Sequence, residues 1–141
     1  MRLAFAADHA GAALKYELME HARAAGHDVV DLGTDGAESV DYPEFGRVCA
    51  ERVAGGEVDR GVVVCGTGIG IAMAANRVAG ARCAVAHDVT TARLARSHND
   101  ANLLALGARI VGAQVAVDCM MAFLDTPFEG GRHQRRVAKL G

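Results

Sequence analysis

Three consecutive valines running into a cysteine and three alternating glycines, Val62-Val63-Val64-Cys65-Gly66-Thr67-Gly68-Ile69-Gly70, constrain this chain more than any other stretch. A short β-branched run without polar alternation is the pattern of a strand buried on both faces, as in a parallel sheet. Ile71 to Ala75 then resume a helix-forming pattern. Strand, glycine loop and helix together point backbone N–H groups and the positive end of a helix dipole at an anion. A thiol at the mouth of such a loop lies in the same field. Cys65 is therefore either a structural cysteine beside a tight turn or a reactive group. Its place at a strand's C-terminal end, where open α/β sheets bind ligands, favours the second reading.

The rest of the chain repeats the same grammar. Leu3 to Ala6 predict a first strand ending at Ala7-Asp8-His9, and Ala10 to Ala25 a helix with Leu14, Leu18, Ala22 and Ala25 on one face, stopped by Gly26. Asp28 to Leu32 predict a second strand, followed by a loop from Gly33 to Pro43 and a helix from Phe45 to Ala54. Gly61 to Cys65 form the third strand, and its helix is expected to run to about Ala79. Arg82 to Ala86 and Asn102 to Leu106 are the fourth and fifth strands. Between them Asp88 is the N-cap of a helix through Arg96 that ends in Ser97-His98-Asn99-Asp100. Ala113 to Leu124 are apolar nearly all round, the mark of a helix either deeply buried or half covered by a second subunit. Alternating strands and helices at short spacing give an α/β fold: a Rossmann-like three-layer α/β/α sandwich on a five-stranded parallel sheet.

At 141 residues, 51% hydrophobic and with two prolines, the chain is expected to form one domain, residues 1–141, and not a disordered segment. No apolar run reaches the roughly 18 residues of a membrane span. Met1 to Phe5 run straight into Asp8 and His9, too short for a signal-peptide core. Cys49, Cys65, Cys83 and Cys119 form no C-x-x-C pair, which argues against a zinc site or disulfide framework and for a reducing, cytoplasmic setting. The net charge of -2 makes a poor nucleic-acid binder. Within the tail 127–141, however, Arg132, Arg135, Arg136 and Lys139 outweigh Glu129. Arg132 and Arg136 stand i, i+4, so a helix would aim both guanidiniums at one small anion.

Right-handed crossovers bring all strand C-termini to one edge, where Asp8-His9, Cys65 with its glycines, and His87-Asp88 can converge. His98-Asn99, at a helix end, point away from that edge within one subunit. A dinucleotide fingerprint fails because Ile71 occupies the third glycine position, although Asp88 imitates the ribose-binding acid. A P-loop fails for want of a lysine after Gly70. Cys65, His98 and Asn99 have the chemical types of a Cys-His-Asn hydrolase, and that alternative stays open on residue types alone.

Six segments in one order carry a resemblance: Ala7-Asp8-His9-Ala10-Gly11, Asp41-Tyr42-Pro43, Cys65 to Gly70, Ala74-Ala75-Asn76, His98-Asn99-Asp100-Ala101-Asn102 and Gly130-Gly131-Arg132-His133-Gln134. In one register from residue 2 to about 138, the chain resembles the type B ribose-5-phosphate isomerases, whose superfamily also holds galactose-6-phosphate isomerase subunits. The resemblance implies interconversion of ribose 5-phosphate and ribulose 5-phosphate through an enediolate, with no metal or organic cofactor. An isomerase of allose 6-phosphate or galactose 6-phosphate type is the alternative. It implies Cys65 as the base, His98 as the acid/base that opens the furanose ring, and Thr67 as a further catalytic residue. Gly66, Gly68, Ile69 and Gly70 would hold the enediolate, with Asp8 positioning the sugar and Asn99 binding it. His9, Arg109, Arg132 and Arg136 would surround the phosphate, the tail completing that site. Ile71 stands where some members carry a glutamate base, so this is the cysteine type. The resemblance also implies a homodimer or tetramer with shared active sites, His98, Asn99 and Arg109 coming from the partner.

Overall fold

Side-chain alternation along the strands builds two cores. In β1 (Arg2–Ala7), Leu3, Phe5 and Ala7 face one side of the sheet while Ala4 and Ala6 face the other. The valine run in β3 (Arg60–Cys65) divides in the same way, Val62 and Val64 against Val63 and Cys65. A strand covered on both faces has no polar side, which is why β3 reads as continuous valine. The computed structural model describes residues 1–141. With β2 (Asp28–Asp31), β4 (Cys83–Val85) and β5 (Leu103–Gly107), all pairings are parallel, in the order β2-β1-β3-β5-β4. Helices α1 (Ala12–Ala24), α4 (Val89–Ser97) and α5 (Ala113–Asp125) cover one face, and α2 (Tyr42–Ala54) and α3 (Ile69–Ala75) the other. The expected three-layer sandwich is the observed one. No helix is long and apolar enough to cross a membrane.

The strand order reverses between β1 and β3, and their outgoing loops diverge there, opening the crevice in which such sheets bind ligands. Ala7 is in register with Val64, so Asp8 and Cys65 leave the sheet side by side. The Asp8 N–H donates to the Val64 carbonyl at 3.2 Å. Gly11 crosses this junction so closely that a Cβ there would lie 2.5 Å from the Val64 carbonyl oxygen. Backbone cannot retreat as a flexible side chain can. Gly11→Ala is therefore expected to cost about 1–3 kcal/mol, the scale of overpacking, seen as a lower urea midpoint with unchanged m-value.

Two boundaries differ by more than two residues from those expected. α2 starts at Tyr42 and not at Phe45, because Asp41 is extended at the N-cap and Pro43 occupies the first turn, where its missing N–H costs nothing. α3 stops at Ala75, well short of Ala79. Asn76 leaves the helix to pair with β4, its Nδ2 donating to the Cys83 carbonyl at 2.9 Å and its Oδ1 accepting the Cys83 N–H at 2.8 Å. α5 buries Ala116, Val117, Cys119, Met120, Phe123 and Leu124 and leaves Val115 exposed, so its apolar excess is mostly core.

Candidate active site

At the C-terminal edge of the sheet, Asp8, Tyr42, Cys65, Gly66, Thr67, Ile69, Gly70, Met73 and Arg109 line a cavity of about 450 Å³. Cys65 is 4% exposed, and its Sγ accepts the Gly68 N–H at 3.2 Å. Gly68 holds φ at +77°, and a Cβ there would stand 2.9 Å from the Leu106 carbonyl carbon, so only glycine makes this turn comfortably. The Ile69 N–H is capped by Thr67 Oγ1 at 3.2 Å. The N–H groups of Gly70 and Ile71, in the first turn of α3, have no intrahelical acceptor and point out of its N-terminus. They are preorganised donors for negative charge at the start of α3.

The other three cysteines are chemically different. Burial pushes the Cys49 thiol up to about 12, and it donates weakly to the Ala4 carbonyl. Burial also raises Cys83 and Cys119. Only Cys65 reaches the cavity.

Asp8 is 6% exposed, and its Oδ1 accepts the N–H groups of Ala10 and Gly11 at 3.0 and 3.1 Å, which fixes the carboxylate at the cavity wall. His9 is exposed, and its Nδ1 accepts the Val40 N–H at 3.2 Å, leaving Nε2 as the outward nitrogen. Arg109 is held by its own N–H to the Gly66 carbonyl at 2.9 Å, with its guanidinium over Gly66. The resemblance assigned Arg109 to the partner's contribution; in this structure it lines the cavity of its own chain, because β5 lies next to β3 and ends beside the glycine loop.

The remaining expected residues lie at the opposite edge. α4 runs back across the sheet and ends in His98 and Asn99, just before β5 begins. The His98 ring stacks on His133 with centroids 4.3 Å apart and planes 14° apart. His133 belongs to α6 (Arg132–Ala138), so Arg132 and Arg136, both exposed, travel with His98 and not with Cys65. The two groups are separated by the length of β3, roughly 17 Å at strand rise. Each chain thus holds the expected site residues in two separate groups.

Buried arginine chemistry holds the second group together. Arg96, 6% exposed, donates from Nη1 to Asp100 Oδ1 at 2.9 Å and from Nε to the Thr126 carbonyl at 3.2 Å. Arg82 Nη2 reaches the other carboxylate oxygen at 3.2 Å. Asp100 is the one non-glycine residue at positive φ, +46°, and the two arginines clamp it there, immediately after His98-Asn99. The Glu129 N–H donates to the Ser97 carbonyl, tying the α5–α6 connection to the same turn. Burial, then the nearby His98 and Arg132, lower the pKa of His133 from its ordinary value.

Sequence reasoning missed one positioning residue, Lys15, and left the contacts of His87 and Tyr42 open. Lys15 is 0% exposed, its Nζ donating to Asp31 Oδ1 at 2.6 Å and to the Thr34 carbonyl at 2.8 Å. It anchors the loop that carries Val40 to His9. The signal was its i, i+3, i+7 spacing with Leu18 and Ala22. His87 Nε2 accepts the Gly107 N–H at 2.9 Å, fixing the end of β5 before Arg109. The Tyr42 ring lies against Gly70, within 2.5 Å of where a Cβ would be, and forms one cavity wall. Asp88 acts as the expected N-cap, accepting the Thr91 N–H at 2.7 Å.

A family profile described as Ribose/Galactose Isomerase matches residues 3–140. The ribose-5-phosphate isomerase B of Escherichia coli (strain K12) is 47% identical over 136 residues, covering 96% of this chain and 91% of that one. The putative sugar phosphate isomerase YwlF of Bacillus subtilis (strain 168) is 45% identical over 141 residues, covering 99% and 95%. The solved Clostridium thermocellum ribose-5-phosphate isomerase B matches with a TM-score of 0.98 at 50% identity, over 100% of this chain and 95% of that one. A thiol at the sheet's switch point, accepting a glycine-loop N–H, sits in a chain matched end to end by such enzymes: the chain belongs to the ribose/galactose isomerase family and is an aldose–ketose isomerase.

Proposed function

We propose that the chain interconverts ribose 5-phosphate and ribulose 5-phosphate through an enediolate, using Cys65 as base and a partner subunit's His98 to open the ring. The observation that carries this reading is the Cys65 sulfur, set in the cavity wall and accepting the Gly68 N–H at 3.2 Å where the glycine loop enters α3. A hydrogen on the carbon next to a carbonyl is a weak acid. Its removal needs a positioned base, worth about 10²- to 10⁴-fold in rate. It also needs stabilisation of the oxyanion, worth about 3 kcal/mol for each good donor. Cys65 takes the C2 proton and returns it to C1, while the glycine loop holds the charge on the enediolate oxygens. Asp8 orients the sugar hydroxyls. Arg109 and His9 meet the substrate from the Cys65 side, and Arg132, Arg136 and Asn99 from the other.

A panel of phosphopentoses and phosphohexoses assayed for aldose–ketose conversion tests the assignment. Ribose 5-phosphate is expected to have the highest kcat/KM. A phosphohexose that exceeds it would move the chain to the galactose 6-phosphate or allose 6-phosphate alternative. Arg136→Ala is expected to raise KM and lower kcat/KM by about 2–3 kcal/mol, the scale of a charge-assisted hydrogen bond. Free ribose is expected to be a very poor substrate for the same reason. Equal kcat/KM for ribose with and without its phosphate would overturn the role given to the tail.

A further inference from the structure

The stacked histidines at the edge opposite Cys65 carry a feature that isomerisation leaves unexplained. His98, His133 and Glu129 each offer one ligand atom, and the three atoms lie within 4.8 Å of one another. His133 is 7% exposed, and its Nε2 is buried with no hydrogen-bond partner. Buried polar atoms are ordinarily paired. The group facing this one is the Glu129 carboxylate, 3.5 Å away, close enough to share a cation yet too far for a good hydrogen bond.

Two imidazoles and a carboxylate are the donor set of open tetrahedral zinc sites, in which the fourth position is left to water or ligand. Donors about 2.1 Å from a common tetrahedral ion stand roughly 3.4 Å apart, so closing this cluster takes about 1.4 Å at its widest pair. The parallel rings must also separate, since each imidazole binds a metal in its own plane. The movement this needs falls to His98, half-buried at a helix end, more than to His133, which is buried within α6. Arg132 and Arg136 on the same helix oppose a cation, and Glu129 offsets part of that.

We propose that His98, His133 and Glu129 form an inhibitory zinc site. An ion held there occupies the imidazole with which His98 would move a proton; this inhibitory half rests on the role given to His98 above. The metal-free protein titrated with Co²⁺ is expected to develop the visible absorption of a tetrahedral site, saturating at one ion per chain and displaced by Zn²⁺. Cys65→Ser should keep that band, which excludes the thiol as its source. His133→Ala and Glu129→Gln should each weaken it by more than about 10-fold, with unchanged circular dichroism showing that both variants fold. In the isomerase assay, Zn²⁺ should inhibit over the concentration range in which it displaces Co²⁺, and EDTA should restore the rate. No tetrahedral band, or a band kept in both variants, overturns the site. A band lost in both variants, with Zn²⁺ leaving turnover untouched, overturns the inhibition through the role of His98 and leaves the ligand set standing.

Discussion

Cys65→Ala is expected to lower kcat by about a thousandfold, mid-range for loss of a general base, while sugar-phosphate affinity stays within about twofold by calorimetry, because the oxyanion and phosphate contacts are untouched. The substitution removes one buried sulfur and the Gly68 N–H contact at 3.2 Å, and leaves Asp8, Thr67 and Arg109 in place. A thiol reagent should inactivate the wild-type enzyme at one site, with substrate protecting, because Cys49, Cys83 and Cys119 are buried with raised pKa values and react slowly. Near-normal turnover in the alanine variant would remove Cys65 from the chemistry.

The parts of this molecule that were legible in its sequence are those written in local chemistry. Val62 to Gly70 announce strand, turn and helix because burial, a left-handed turn and a helix start each select residue types within a few positions. Asp88 announces a cap for the same reason. Asp41-Tyr42-Pro43 misled, since a proline reads equally as loop or as the first turn of a helix, and only the extended Asp41 decides. Contacts made across long sequence separations were hidden. The Lys15 ammonium looks like a surface charge until Asp31 and Thr34 close over it. The pairing of His98 with His133 spans 35 positions in the numbering and depends on α5 carrying the chain back beneath α4. The resemblance supplied the names of the site residues, but not their grouping. Arg109 stands with Cys65, and Arg132 and Arg136 stand with His98, because β5 ends beside the glycine loop while α6 packs where β5 begins.

That grouping makes the second large expectation quantitative. If each working site joins the Cys65 edge of one subunit to the His98 edge of another, Cys65→Ala and His98→Ala homodimers should each be nearly inactive, every site lacking one residue. Mixing them under conditions that exchange subunits should restore turnover. A mixed dimer has one site with both residues and one with neither, and random pairing makes half of all dimers mixed, so recovery should approach about a quarter of wild-type activity. Native mass spectrometry gives the fraction of mixed dimers, and the isomerase rate should rise in proportion to it. Carrying Arg136→Ala on the Cys65→Ala chain distinguishes the grouping further. The intact site in each mixed dimer takes its Cys65 edge from the His98→Ala chain and its His98 edge from the Cys65→Ala chain, so Arg136→Ala there should depress the recovered activity. The same substitution on the His98→Ala chain should leave recovery unchanged, because that chain's own Arg136 belongs to the dead site. Abundant mixed dimer without recovered turnover would refute the shared site, and recovery sensitive to Arg136 on the opposite chain would refute the pairing of Arg136 with His98.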